Sequence, residues 1–173
     1  MISKVWLTVG LVVVVAVGIV AFVSYGHGAP SGTAAQRLQS WVSSTKLGQD
    51  IGTLQGDGSN VARALREHKG STAVRTVCAA MANDAQTFND QLPSPDASVT
   101  QLLARAYGLD YDAAEACYKA GATNRSLLAQ ASGDRKKATT LFTEVLRRVR
   151  AVTGHPLSTT TTTVPDLTGT SFL

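Results

Sequence analysis

Three groups of side chains have types and spacings that suggest chemistry: two cysteines, a run of carboxylates and a basic stretch. Cys78 and Cys117 each fall on an apolar helical seam, Cys78 fourteen residues before Leu92 and Cys117 twenty-one residues after Asp96. In an antiparallel hairpin turning at Leu92-Pro93-Ser94-Pro95 they stand at similar heights, and a bridge needs Cα atoms within about 7 Å. Two cysteines and no others favour a disulfide where the compartment is oxidising, with two buried free thiols as the alternative. Neither cysteine has the Cys-x-x-Cys setting at a helix N-terminus that a redox pair uses.

Asp110, Asp112 and Glu115 form the carboxylate cluster. Asp112 and Glu115, three residues apart, share a helix face and would hold a hard cation only weakly. A solvated helix face is the simpler reading, because the flanking His of a di-metal bundle is missing. His27, His68 and His155 share no face and neighbour no Cys or carboxylate at ligand spacing, so no metal and no cofactor are expected. The glycines between Gly48 and Gly58 precede no Lys-Ser or Lys-Thr, so they form no phosphate loop. There is no Gly-x-Ser-x-Gly and no His-Glu-x-x-His. No catalytic residue is identified, and the chain is expected not to be an enzyme.

Between Asp134 and Arg150 six Lys or Arg stand against two acids. Lys136, Arg147 and Arg150 fall opposite the apolar seam and, with Arg148, make a candidate anion- or membrane-facing patch; helix-end solvation is its bland counterpart. Tyr107, Tyr111 and Tyr118 lie beside the seam of the preceding helix. They are either boundary residues against a neighbour helix or a candidate partner face, which a small-molecule groove between helices would also use.

These groups must be held by helices. Residues 5–23 carry no charge, and as a helix they would span about 28 Å, close to the roughly 30 Å apolar core of a bilayer. Trp6 and Tyr25 bracket the run, and Lys4 lies before it while no Lys or Arg follows until Arg37. The positive-inside rule then predicts a cytoplasmic N-terminus and an extracytoplasmic remainder. A cleaved secretory signal, with a site near Gly26-His27-Gly28-Ala29, is the alternative. The expected organisation is a transmembrane signal-anchor at 1–25, a linker at 26–32, a helical bundle at 33–154 and a Thr-rich disordered tail at 155–173.

Within the bundle, Val74, Cys78, Met81, Ala85, Phe88 and Leu92 repeat at four and three. So do Val99, Leu103, Ala106, Ala113, Cys117 and Ala120, with one position passed over, and Leu128, Ala131, Ala138, Phe142, Val145, Val149 and Val152, with Arg135 passed over. Pro93 and Pro95, Gly121, and Gly154 with Pro156 end these three helices. Leu47, Ile51, Leu54, Val61 and Leu65 continue the pattern if Gly58 takes a seam position, while Leu38 and Trp41 precede them slightly out of phase. One helix from about Thr33 to His68 is expected, with a break near Gly56–Ser59 as the alternative. The predicted fold class is all-α: an antiparallel, up-down four-helix bundle with one disulfide after the transmembrane helix. Its last helix would return toward the membrane, so that Arg147, Arg148 and Arg150 meet anionic lipid or wall polymer. A fifth helix made by a hairpin in the Gly-rich stretch reverses that inference.

Two resemblances add to this. Val164-Pro165-Asp166-Leu167-Thr168-Gly169-Thr170-Ser171-Phe172, after the tract Thr159 to Thr163, resembles the opening of a PASTA module, the rest of which is missing. Residues 31–153 are similar to small exported or membrane-anchored helical proteins of high-GC Gram-positive bacteria. That similarity rests on Ala-Val-Arg-Thr-Val-Cys78, Leu92-Pro93-Ser94-Pro95-Asp96 and Ala-Ala-Glu-Ala-Cys117, and it implies a disulfide-pinned bundle and no known activity. The expected partners are the plasma membrane and an envelope protein, anionic lipid or wall polymer. Nucleic acid is not expected for an exported protein, despite a net charge of +4. Protease added to intact cells should digest the chain beyond Tyr25; protection until lysis would overturn this topology.

Overall fold

The computed structural model describes residues 32–157, and all of their regular structure is helical: α1 (Ala34–Thr45), α2 (Leu47–Arg66), α3 (Gly70–Asn89), α4 (Ala97–Ala120) and α5 (Arg125–Thr153). The apolar run 5–23, its flanking Lys4, Trp6 and Tyr25, His27, and the Thr tract with the PASTA-like segment lie outside the described residues. Among the described residues no helix is long and apolar enough to cross a membrane.

Local chemistry sets the helix ends. Thr33 caps α1 through a reciprocal box with Gln36: its hydroxyl accepts the Gln36 N–H, and its own N–H donates to the Gln36 side chain at 2.8 Å. Asp96 caps α4 by accepting the Val99 N–H, and Asn124 caps α5 by accepting the Leu127 N–H. The turn before α4 is fastened as well. Buried Ser94 donates its N–H to Thr100 Oγ1 at 2.9 Å, and its hydroxyl donates to the Asp96 carbonyl at 2.7 Å. The proline turn, Gly121 and Gly154 end α3, α4 and α5 where the pattern places them.

The expected single helix from Thr33 to His68 is corrected. It is two helices, and the break is at Lys46, not in the glycines near 56–59. Lys46 adopts a left-handed conformation with φ 55°, its N–H closing α1 on the Val42 carbonyl, while its own carbonyl accepts from Gln49 and opens α2. The cause is phase. Val42 to Leu47 is a step of five, which a continuous helix would rotate out of the seam. One residue of left-handed backbone absorbs the surplus and returns Leu38, Val42, Leu47 and Ile51 to a single cluster. A left-handed residue other than Gly costs about 1 kcal/mol or more, which the burial of four large apolar side chains offsets. α1 then leans on α5 instead of folding back along α2.

The remaining helices each pack on their neighbour in sequence, α4 most extensively on α5, through connections of three, seven and four residues. Their cores form two clusters. One gathers the start of α2, the end of α3, the start of α4 and the end of α5, around Leu54, Ala85, Leu103 and Phe142. The other gathers the opposite ends, around Val61, Met81, Ala113 and Ala131. The second holds the disulfide, Cys78 to Cys117, with Cα atoms 5.9 Å apart. Closing a loop of that length stabilises the fold by about 4 kcal/mol in the chain-entropy model. The same end is sealed at Gly121, whose φ of +56° and contact with Ser71 leave no room for a side chain. There the Ala122 N–H donates to Ser71 Oγ, and Arg75 Nε donates to the Tyr118 carbonyl.

Four glycines lie inside α2, and two of them have opposite surroundings. Around Gly52 a Cβ would meet nothing within 4 Å, whereas at Gly58 it would stand 2.3 Å from Nη2 of Arg135. Gly52→Ala should therefore raise stability in urea melts by about 0.5–1 kcal/mol through helix propensity alone. Gly58→Ala should lower it by about 1–3 kcal/mol through overpacking. Equal effects at the two positions would refute this reading of α2.

Candidate functional site

Between the two apolar clusters lies a layer of charge, to which each of α2 to α5 contributes one residue: Asp57, Asp84, Asp110 and Arg135. Asp110 and Arg135 are the most deeply buried. Arg135 Nη1 donates to Asp110 Oδ1 at 2.9 Å, with the two side chains 3% and 1% exposed. Gly58 forms the floor beneath the guanidinium. Asp57 is half-buried on α2, with the carboxyl of Asp84 on α3 near enough to repel it.

Burial raises every carboxyl here for which a shift is resolved. Desolvation pushes Asp57 up to about 7; the like charges of Asp84 and Asp110 add to this, and Arg135 opposes it. Desolvation pushes Asp110 up to about 6 against the pull of Arg135. Asp57 and Asp110 thus both lie near the single guanidinium of Arg135. Asp57 Oδ2 and Asp110 Oδ2 are buried without a hydrogen-bond partner. Among the described residues no group of three or more His, Cys, Asp or Glu is arranged to hold a metal ion.

The expected carboxylate cluster is thus split. Asp112 is exposed and Glu115 pairs with Lys119 on the surface, but Asp110 is 0% exposed and faces the bundle interior. The reading of Asp110 on a solvated face fails because Asp110 occupies the passed-over seam position between Ala106 and Ala113. Arg135 fills the corresponding position between Ala131 and Ala138. The sequence signal for the pair was two opposite charges at the two interruptions of otherwise apolar seams.

The three tyrosines do not form one stripe either. Tyr107 is 2% exposed, tilted against Phe142 at 5.6 Å and Phe88 at 6.3 Å between ring centroids. Burial pushes its phenol far above the usual range. Tyr111 and Tyr118 are exposed, at 39% and 51%. Beside Tyr111 an open groove of about 340 Å³ runs between α3 and α4, lined by Ala85, Gln86, Tyr107 and Gly108 among others.

In the basic stretch Lys136 and Arg150 are exposed. Arg147 is exposed but pairs with Glu144, three residues before it. Arg148 is not part of an open patch. It is half-buried, and its Nη2 and Nε donate to Asp96 Oδ2 at 2.9 and 3.2 Å, tying the end of α5 to the start of α4. Hydrogen bonds from Val99 and Arg148 hold the Asp96 carboxyl below its ordinary value despite some desolvation. His68, in the α2–α3 connection, and His155, after α5, are both exposed. The disulfide unites Cys78 and Cys117 as the spacing suggested.

No family model, curated protein or solved structure matches the chain. The charge layer itself is directly testable. Asp110→Ala should cost about 3–5 kcal/mol in denaturant melts, because it strands a buried guanidinium. Asp110→Leu combined with Arg135→Met should recover most of that loss. A single-variant cost below about 1 kcal/mol would show that the pair contributes little.

Proposed function

We propose that this chain is a membrane-held binding protein rather than an enzyme. In this reading residues 5–23 anchor it, and the up-down bundle stands on the extracytoplasmic face. The exposed tyrosines of α4 dock an envelope protein. The observation that carries the docking role is the contrast along α4: Tyr107 is buried, while Tyr111 and Tyr118, two turns apart on one face, remain open. Tyr presents a broad apolar ring with a polar tip at little entropic cost, which suits the centre of an interface. The Glu115–Lys119 pair lies alongside, giving the polar surroundings such a patch needs. The Cys78–Cys117 disulfide supports an oxidising compartment.

A second reading has one observation in its favour. The groove between α3 and α4 reaches Tyr107 and Tyr111, so a small apolar molecule with a hydrogen-bonding end would fit beside them. The basic patch supports lipid or wall-polymer binding less well, since Arg147 and Arg148 are engaged within the chain.

Photo-crosslinking in intact cells separates these readings. A crosslinking residue at position 111 or 118 should give discrete protein adducts, and one at exposed Arg63 on α2 should not. Replacing both tyrosines with Ala should reduce capture by about tenfold or more while leaving the thermal melt in place. Capture that is equal from position 63, or unaffected by the double replacement, would refute tyrosine docking. Loss of capture with Tyr111→Ala but not with Tyr118→Ala would favour the groove.

A further inference from the structure

Ala104, Arg105, Gly108 and Asp112 are exposed in succession along the outer face of α4. Beside this crest an open groove of about 550 Å³ runs between α4 and α5, floored by half-buried Leu109 and Leu141 and edged by Arg105, Asp112 and Lys137. The groove between α3 and α4 flanks the crest on its other side, and Gly108 borders both. At Gly108, α4 therefore stands without a side chain between two furrows. Nothing inside the chain asks for glycine there. A Cβ would meet nothing within 4 Å, the backbone is not left-handed, and glycine weakens a helix interior.

The charges left open on this face have opposite signs and a fixed spacing. Lys137 holds Asp134 at 2.9 Å, and Glu115 is held by Lys119. Arg105 and Asp112 enter no ion pair among the described residues. They stand two turns apart on one face, about 10 Å along the axis, with Gly108 between them. Such a pattern is complementary to its own copy reversed. About a two-fold axis beside Gly108 and Leu109, Arg105 of each copy meets Asp112 of the other, and each Leu109 falls against the bare backbone of the other Gly108. A parallel arrangement would instead set Arg105 against Arg105 and Asp112 against Asp112.

We propose that the outer face of α4 is a homodimer interface, in which two copies pack antiparallel across Gly108 and exchange Arg105–Asp112 ion pairs. The same patch serves both copies, as a two-fold contact requires. Gly108, with the small Ala104 one turn before it, lets the two backbones approach closely. Leu109, half-open in the single chain, gains cover, and the opposed charges fix the direction and register of the pair. Tyr118 lies ten residues beyond Gly108, outside the crossing. The interface is thus separable from docking of a partner at that tyrosine.

Sedimentation equilibrium of the full chain in detergent micelles tests this. The unaltered chain should form dimers. Arg105→Glu or Asp112→Arg alone should weaken them by about tenfold or more, since each sets like charges together at both contacts. Mixed in equal amounts, these two variants should pair with each other as well as the unaltered chain pairs with itself, because both contacts again join opposite signs. Gly108→Leu should also weaken the dimer while leaving the thermal melt in place, since the added side chain meets nothing within the single chain. Tyr118→Ala should leave the dimer unchanged. An unaltered chain that stays monomeric at about 0.1 mM, dimers indifferent to Arg105→Glu and Asp112→Arg, or mixed variants that fail to recover pairing would each overturn the proposal.

Discussion

The structure depends on placing a guanidinium at the centre of a small helical core. A charge moved from water into protein interior is costly unless a partner of opposite sign is also buried and well aligned. Arg135 meets that requirement through Asp110, and the rest follows from geometry. The bulk of the guanidinium demands a residue without a side chain across from it, and Gly58 is there. The need for the pair to meet fixes the register of α4 against α5. That register in turn decides which apolar residues fall above the layer and which below. A buried ion pair of this kind is weak as a source of stability but restrictive about alignment. A slip of one helical turn would strand both charges against apolar side chains.

Each apolar cluster is then secured by a different device. At one end a covalent bond joins α3 to α4, aided by the Ser71 contacts around Gly121. At the other end Asp96 does two jobs: it caps α4 and accepts Arg148 from the last turns of α5. The polar residues of the proline turn fasten the same corner, with Ser94 and Thr100 exchanging hydrogen bonds. α4 is therefore tied to α3 at one end and to α5 at the middle and the other end. α1 and α2 are attached by apolar packing and the charge layer, which makes the N-terminal third of the bundle the less constrained part.

Much of this was legible in sequence, for identifiable reasons. Cys78 and Cys117 could be paired because a double-proline turn fixes where the hairpin reverses, so counting residues from the turn gives height. The ends of α3, α4 and α5 were marked by Pro, Gly, Asp and Asn, whose backbone and side-chain chemistry acts locally. Lys46 was not found, because the break is made by a phase correction and Lys carries no turn signature of its own. The only trace was the slight drift of Leu38 and Trp41 against the seam that follows. Asp110 was misread because proximity in sequence grouped it with Asp112, although successive residues on a helix point about 100° apart. Tyr107, four residues before Tyr111, was separated from it by the aromatic pocket of Phe88 and Phe142, which no linear pattern reveals. Asp57 and Asp84 lie on different helices, so their meeting is purely tertiary.

The bridge between α3 and α4 also bears on tension. Were the chain pulled from its two termini, force would pass through the sulfur bond and bypass everything between Cys78 and Cys117. That 39-residue segment would add 5.9 Å to the load path, against about 130 Å or more for an uncrosslinked stretch of the same length. The turn at Pro93, most of α4 and the Tyr111 side chain would be spared from stretching even after the flanking helices had unravelled.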